Sequence, residues 1–193
     1  MNLCGTRELQ TERLVLRRFT LADAEAMYHN WASDPEVTKF LLFKTHADVG
    51  VSQRILAEWV GSYMRGDFFQ WALTLKGSGT PIGSMGVLPP APTLYQEPKV
   101  QAMQVGYCIG QAWWRQGYTS EALTAVISFL FETVGVSRVE ARHDPRNPNS
   151  GKVMKHCGMH HEGTMRQAGA SNAGVSDIAV YGLLAEDYFA ARS

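Results

Sequence analysis

Residues 114–122 read W-R-Q-G-Y-T-S-E-A. They bring a glycine, an arginine and two hydroxyls to the start of an apolar run. Leu123, Val126, Ile127, Leu130 and Val134 recur at helical spacing behind them, so a long amphipathic helix should begin near Thr119. The first turn of a helix presents amide N–H groups that have no partner within the helix, and the dipole is positive at that end. An anion suits such a place. Gly117 allows a tight turn or a close approach by a ligand, Arg115 adds a positive charge, and the hydroxyls of Thr119 and Ser120 can donate. Together these groups suit a phosphate or diphosphate. The same residues also support plain capping, with Thr119 or Ser120 satisfying the helix start and Gly117 serving as a turn. The segment lacks the lysine of a phosphate-binding P-loop, and Gly77, Gly79 and Gly83 do not have dinucleotide-motif spacing. Glu121 reads as structural, an acid favoured at the positive helix end.

A second polar stretch, D-P-R-N-P-N-S (144–150), leads into a short helix through Val153, Met154 and Cys157 that Gly158 stops. Taken alone, Asn147 is a turn residue and Ser150 a helix N-cap. Glu140 lies mid-strand, where Arg138 or Arg142 can pair with it. His143 is a base candidate by residue type but suits a surface or structural role. His160 and His161 are adjacent in a strand and so point to opposite faces, a poor metal chelate. No metal site is expected. Trp113 and Trp114 read as packing residues.

The elements that must position these residues follow from periodicity. A strand is expected over 13–19 and a helix from the T-L-A-D signature at Thr20, broken by Asp34-Pro35. A second helix follows Thr45–Asp48, carrying Ile55, Leu56, Trp59, Val60 and Tyr63, with Gly66 as its stop. Gly50 blurs its start. Alternation then predicts strands over 69–76, 82–88 and 104–110, with a proline-rich connection near Pro89–Pro98. After the long helix, ended by Gly135, come a strand over 137–142, the short helix, and strands near 162–166 and 177–184 around a glycine-rich A-G-A-S-N-A-G. This order describes an α+β chain: a mixed, mostly antiparallel sheet of about seven strands flanked by about four helices.

The chain has 193 residues, 45% of them hydrophobic, with 18 basic and 18 acidic side chains. That length fits one domain over 1–193 with a sizeable core. Zero formal charge gives no global reason to expect nucleic acid or an acidic membrane as partner. Cys4, Cys108 and Cys157 are widely spaced and odd in number, against a disulfide framework or a cysteine zinc site. No stretch has the length of a membrane span or the pattern of a signal peptide. A cytoplasmic protein is expected.

Several stretches, in order, resemble one family. They are T-E-R-L-V-L-R-R-F-T-L-A-D-A, D-P-E-V-T, Q-V-G-Y-C-I-G, W-W-R-Q-G-Y-T-S-E-A-L, R-V-E-A-R-H-D-P-R-N-P-N-S, K-H-C-G-M-H-H-E-G-T-M-R and D-I-A-V-Y-G-L-L. They are similar to the GNAT acyl-CoA N-acyltransferases, in the branch that includes the RimJ and RimL ribosomal-protein acetyltransferases. The resemblance implies acetyl-CoA, or a related acyl-CoA, as cosubstrate. It maps the pyrophosphate loop onto Arg115, Gln116, Gly117, Tyr118, Thr119 and Ser120, with Arg115 and Thr119 where the family often has small residues. It lays the pantetheine along the strand of Tyr107, Cys108 and Ile109, which in the family splays from its neighbour. Asn147 falls near the pantetheine and Ser150 near the sulfur, where Ser150 would assist the departing thiolate. The implied reaction is direct attack of an amine, either a protein N-terminus or a small molecule. The chain departs from the family at the general base: Gln104 stands where many members carry glutamate, and Gly169 and Ala170 stand where some place an acid. A non-catalytic acyl-CoA-binding sensor of the same fold is the alternative that this departure raises. The acceptor pocket is expected from the first two helices, the proline-rich insert and the loop near 169–174. Either a monomer or a homodimer is compatible.

Overall fold

The computed structural model describes residues 1–88 and 101–192. The proline-rich insert expected to wall the acceptor pocket lies outside them. One sheet carries eight strands: β1 (Leu9–Gln10), β2 (Leu14–Arg17), β3 (Phe69–Leu75), β4 (Pro81–Leu88), β5 (Ala102–Ile109), β6 (Arg138–His143), β7 (His160–Ser171) and β8 (Gly174–Leu184). Their spatial order is β1-β2-β3-β4-β5-β6-β8-β7. Among the described residues, only β5 and β6 pair in parallel. That pairing needs a crossover, which the helix after the W-R-Q-G-Y-T-S-E-A segment supplies. The α+β class is as expected. The additional strand is the two-residue β1, too short to show alternation.

Among the described residues the helices are α1 (Ala24–Met27), α2 (Pro35–Thr38), α3 (Val49–Ser62), α4 (Tyr118–Phe129), α5 (Pro148–His156) and α6 (Ala185–Ala190), six where about four were expected. A 3-10 turn over Leu21–Asp23 leads into α1. There the Asp23 carboxylate accepts from the Thr20 amide at 2.7 Å and is gripped by Arg17 at 2.8 Å. π-helical turns extend α1 through Ala32 and α4 through Val134. Asp34 both ends the first helical run and caps the next: its side chain accepts from the Glu36 amide at 2.8 Å, with Pro35 at the first helical position, a place proline favours. Gly50 does not delay α3, because Asp48 caps it through the Val51 amide at 3.1 Å. Helix α3 stops at Ser62 rather than Gly66.

Two apolar clusters hold the layers. On one face, Leu123, Val126, Ile127, Leu130 and Val134 are buried against Trp71, Met85, Val105, Val139 and Leu183. Each such side chain contributes roughly 1.5–3 kcal/mol. On the other face, α1 and α3 pack Met27, Trp31 and Leu56 toward Ala72 and Cys108. The glycine-rich 168–174 stretch is mostly strand, not loop. Asn172 and Ala173 alone make the turn between β7 and β8. A register shift between Met165 and Gly169 absorbs the irregularity, with Gln167 at φ 49° and its amide bonded to Asp177 at 2.8 Å.

Candidate active site

The parallel β5/β6 ladder runs from Ala102↔Arg138 to Val105↔Ala141 and stops. β5 continues to Ile109, still paired with β4 on its other side, and β6 continues to His143. From Gly106 onward the two strands part. The opening leaves the β6-facing edge of Gly106–Ile109 without a strand beside it, which is the splay the sequence resemblance implied.

The N-termini of α4 and α5 flank this opening. Gly117, not a hydroxyl residue, occupies the N-cap position of α4, in the left-handed region at φ 82°. The first helical bond is Glu121 N–H to Gly117 O at 3.0 Å. The amides of Tyr118, Thr119 and Ser120 therefore precede the helical ladder. Capping by Thr119 or Ser120 is overturned: both lie inside the first turn, and neither side chain caps it. Arg115 is exposed and also left-handed, at φ 60°, a conformation that disfavours a side chain by about 1–2 kcal/mol.

The loop is held by a residue the motif reading missed. Glu121 accepts from the Arg13 amide at 2.8 Å, from Arg13 Nε at 2.7 Å and from Thr11 Oγ1 at 2.6 Å. The Arg13 guanidinium also donates to Gln116 O at 2.9 Å and lies 4.5 Å from the centre of the Tyr118 ring. Burial alone would push Glu121 up, but the bonds from Thr11 and Arg13 hold its carboxyl below the usual range. Glu121 is thus structural, as expected, but through the turn between β1 and β2 rather than through the dipole alone. The partner lies 108 residues away, and no local signal announces it.

At the other helix, α5 begins at Pro148. Asn147 is its N-cap residue but makes no side-chain cap bond. Ser150 is the third helical residue, so its expected N-cap role is overturned. Its hydroxyl instead lies 3.0 Å from the Tyr107 phenol, which also donates to Ser150 O at 3.0 Å. Burial pushes the Tyr107 phenol well up, so it stays protonated and can donate at neutral pH. The structure therefore brings Tyr107, Asn147 and Ser150 to the same opening. Cys108 turns to the opposite face, where it meets Ser84 Oγ at 3.3 Å, and burial pushes its thiol up. Ile109 O accepts from the Trp114 indole at 2.9 Å, a packing use of that ring.

The face of β5 and β6 away from α4 is polar. Gln104 stands opposite Glu140 in register. Glu140 is paired with Arg138 Nε at 2.9 Å and, more distantly, with Arg142 at 3.4 Å. Arg138 also holds Glu162. α1 and its π turn cover β4 and β5 on this face. The tip of the β7–β8 hairpin reaches the same side: Asn172 Nδ2 donates to Thr38 O at 2.9 Å and Phe43 O at 2.8 Å. Arg146 donates to Ala173 O at 3.3 Å and lies 6.0 Å from the Phe40 ring. The late hairpin thus meets the end of α2 and the segment after it, on the side of the sheet that carries Gln104, Gly106, Glu140 and Arg142. At Gly169 the backbone lies against Ile178.

His143 is half-buried, with its Nε2 buried and without a hydrogen-bond partner among the described residues. Its Nδ1 bonds Asp144 O at 2.8 Å and its ring packs on Tyr181, beside a groove of about 320 Å³ on the β8 side of α5. His161 also packs on Tyr181. Among the described residues, no group of three or more His, Cys, Asp and Glu could hold a metal, and no helix is long and apolar enough to cross a membrane.

Comparison with known proteins agrees with this architecture. Residues 13–160 match the family model of the acetyltransferase (GNAT) domain. The uncharacterized N-acetyltransferase p20 of Bacillus licheniformis is 28% identical over 180 residues, covering 93% of this chain and 97% of that protein. The ribosomal protein uS5-alanine N-acetyltransferase of Escherichia coli is 39% identical over 62 residues, 32% of each chain. A GNAT-family acetyltransferase structure from Bacillus anthracis superposes with a TM-score of 0.79 at 22% identity, covering 93% of this chain and 99% of that one. With its strands parting beside two helix mouths and its family match spanning most of its length, this chain belongs to the GNAT acetyltransferase family.

Proposed function

We propose that this protein transfers an acetyl group from acetyl-CoA to an amine by direct attack in a ternary complex. The observation that carries the reading is the parting of β5 from β6 after Val105↔Ala141, next to a helix whose N-cap is a left-handed glycine. The residues fit the cosubstrate. Amides before the α4 ladder, over residues 115–120, suit a diphosphate. The uncovered edge of Tyr107, Cys108 and Ile109 suits the amides of a pantetheine arm, with Asn147 beside it. Acetyl-CoA, when bound, supplies an acyl group activated as a thioester.

The chain's own groups then have distinct tasks. Backbone N–H groups on the Tyr107–Ile109 edge are placed to meet negative charge developing on an acyl oxygen. The Ser150 hydroxyl, in contact with the Tyr107 phenol, is the donor for a departing thiolate. No strong base is at hand on the polar face of β5 and β6: Gln104 is an amide, and Glu140 is paired with two arginines. The acceptor must then arrive neutral, or lose its proton to water, and positioning provides much of the rate. The log of kcat/KM should rise with pH up to the acceptor amine's own pKa and then level off.

The test is acetyl-CoA-dependent thiol release across a panel of amines and N-terminal peptides. Acceptor-dependent thiol supports the reading, and failure to bind any acyl-CoA overturns it. A second reading, a non-catalytic acyl-CoA sensor, is favoured by Gln104 and Gly169 at positions where acids were expected. Tight acyl-CoA binding with no acceptor-dependent thiol would select it.

A further inference from the structure

We infer that Arg142 is the anchor for a carboxylate on the acceptor, and that the acceptor is an amino acid. The inference rests on the acetyl-transfer reading above and adds the substrate class. It begins with the charges on the polar face of β6. Arg138, Glu140 and Arg142 alternate along β6 on one face. Arg138 takes both carboxylates within reach, bonding Glu140 at 2.9 Å and also holding Glu162. Arg142 is left with one long contact, 3.4 Å to the second oxygen of Glu140. A guanidinium carries five N–H donors. Here Nε is buried and has no hydrogen-bond partner among the described residues, while the side chain as a whole remains 28% exposed. A partly desolvated cation with so few acceptors gains from an arriving oxyanion, and its planar fork fits a carboxylate.

Position supplies the rest. Val105↔Ala141 is the last paired position of the parallel ladder, so Arg142 is the first β6 residue where the strands part. The β5 residue next in line is Gly106, and a side chain there would meet nothing within 4 Å. Arg142 therefore borders open space at the mouth of the same gap through which the amine must reach the acyl group. Gln104 and Glu140, directly behind, offer acceptors for the amine's hydrogens.

The experiment compares free L-amino acids with the corresponding L-amino acid amides, in thiol release and in binding to the CoA-saturated protein followed by NMR titration. With kcat/KM expressed per neutral amine, the wild-type protein should prefer the carboxylate form by on the order of 100-fold, since a site built for a charged group rejects the analogue lacking it. Arg142→Gln should abolish that preference mainly through KM, with the dissociation constant for acetyl-CoA unchanged. Arg142→Lys, which keeps the charge without the fork, should keep part of it and serves if the glutamine variant folds poorly. Equal use or equal binding of acid and amide by the wild-type protein would overturn the assignment, as would a preference that survives in Arg142→Gln. Loss of acetyl-CoA binding in the wild type would defeat the acetyl-transfer reading instead. The NMR arm, run then on the protein alone, would still decide the role of Arg142.

Discussion

The two sides of the gap between β5 and β6 are built from different materials. The α4 and α5 side is largely backbone: amides ahead of a helical ladder, a strand edge, and a glycine at φ 82°. The opposite side is largely side chains: Gln104, Glu140 and Arg142 on the polar face of the sheet, with the hairpin tip meeting the segment after α2. A backbone site is insensitive to side-chain identity as long as the chain keeps its local conformation. A side-chain site can be rebuilt residue by residue without disturbing the fold. On the proposed reading, the first would hold the cosubstrate and the second would set what is acetylated.

The comparison can be broken most severely at Gly117. Gly117→Val places a β-branched side chain in the left-handed region, where its Cβ would sit 3.3 Å from Arg13 Nη2. The strain is at least ~1–2 kcal/mol. Equilibrium titration should show acetyl-CoA affinity reduced by about tenfold or more, with the circular dichroism spectrum retained. Unchanged affinity would remove the loop from the cosubstrate site.

Ser150→Ala should lower kcat by about 10- to 100-fold while acetyl-CoA affinity changes little. Tyr107→Phe should have a smaller effect of the same kind, because it removes the phenol that orients the serine. Steady-state kinetics with separate KM and kcat values distinguish this from a binding defect. Equal kcat in Ser150→Ala and wild type would leave Ser150 as a packing residue.

The clamp behind the loop predicts a pH effect on stability. Glu121 is held below the ordinary carboxylate range when folded. Its contribution is therefore complete above the unfolded value, near pH 4.5, and is lost as pH falls through the folded value. Denaturant unfolding at several pH values should show that Glu121→Gln lowers stability at pH 7 by about 1–2 kcal/mol. The gap to wild type should close at low pH. A gap that persists at low pH would show that charge is not what the clamp uses.

The smallest effect is expected on the acceptor side. Asn172→Ala removes two bonds, one to the last residue of α2 and one to the segment after it, each worth about 1 kcal/mol. The variant should loosen that contact, seen as faster hydrogen exchange over residues 38–43 and a higher acceptor KM, with acetyl-CoA affinity unaltered. A change in acetyl-CoA affinity would mean that the two sides are coupled rather than independent.

The elements around the cosubstrate side were readable because their signals are local. Gly117, the apolar stripe from Leu123 to Val134 and the N-P-N-S entry each lie within a few residues of the structure they specify. The strand alternation that set β3, β4 and β5 is equally local. The misses have physical causes as well. Thr119 and Ser120 are compatible with capping by residue type, since hydroxyls usually cap, but a left-handed glycine already turns the chain there. The 168–174 stretch was read as a loop from its glycines, although pairing with β8 carries it as strand up to Ser171.

From the sequence alone came the family resemblance, the α+β class, the order of the elements and the candidate loop, all determined by short-range periodicity and turn chemistry. Only the folded chain decided that Arg13 locks the loop through Glu121, that Ser150 meets Tyr107 rather than capping α5, and that Arg138 satisfies Glu140 and leaves Arg142 underused. Each of these depends on side chains brought together by the register of neighbouring strands or by packing between elements far apart in the chain. A charge balance of that kind is a property of which strands lie side by side, and no window along the sequence contains it.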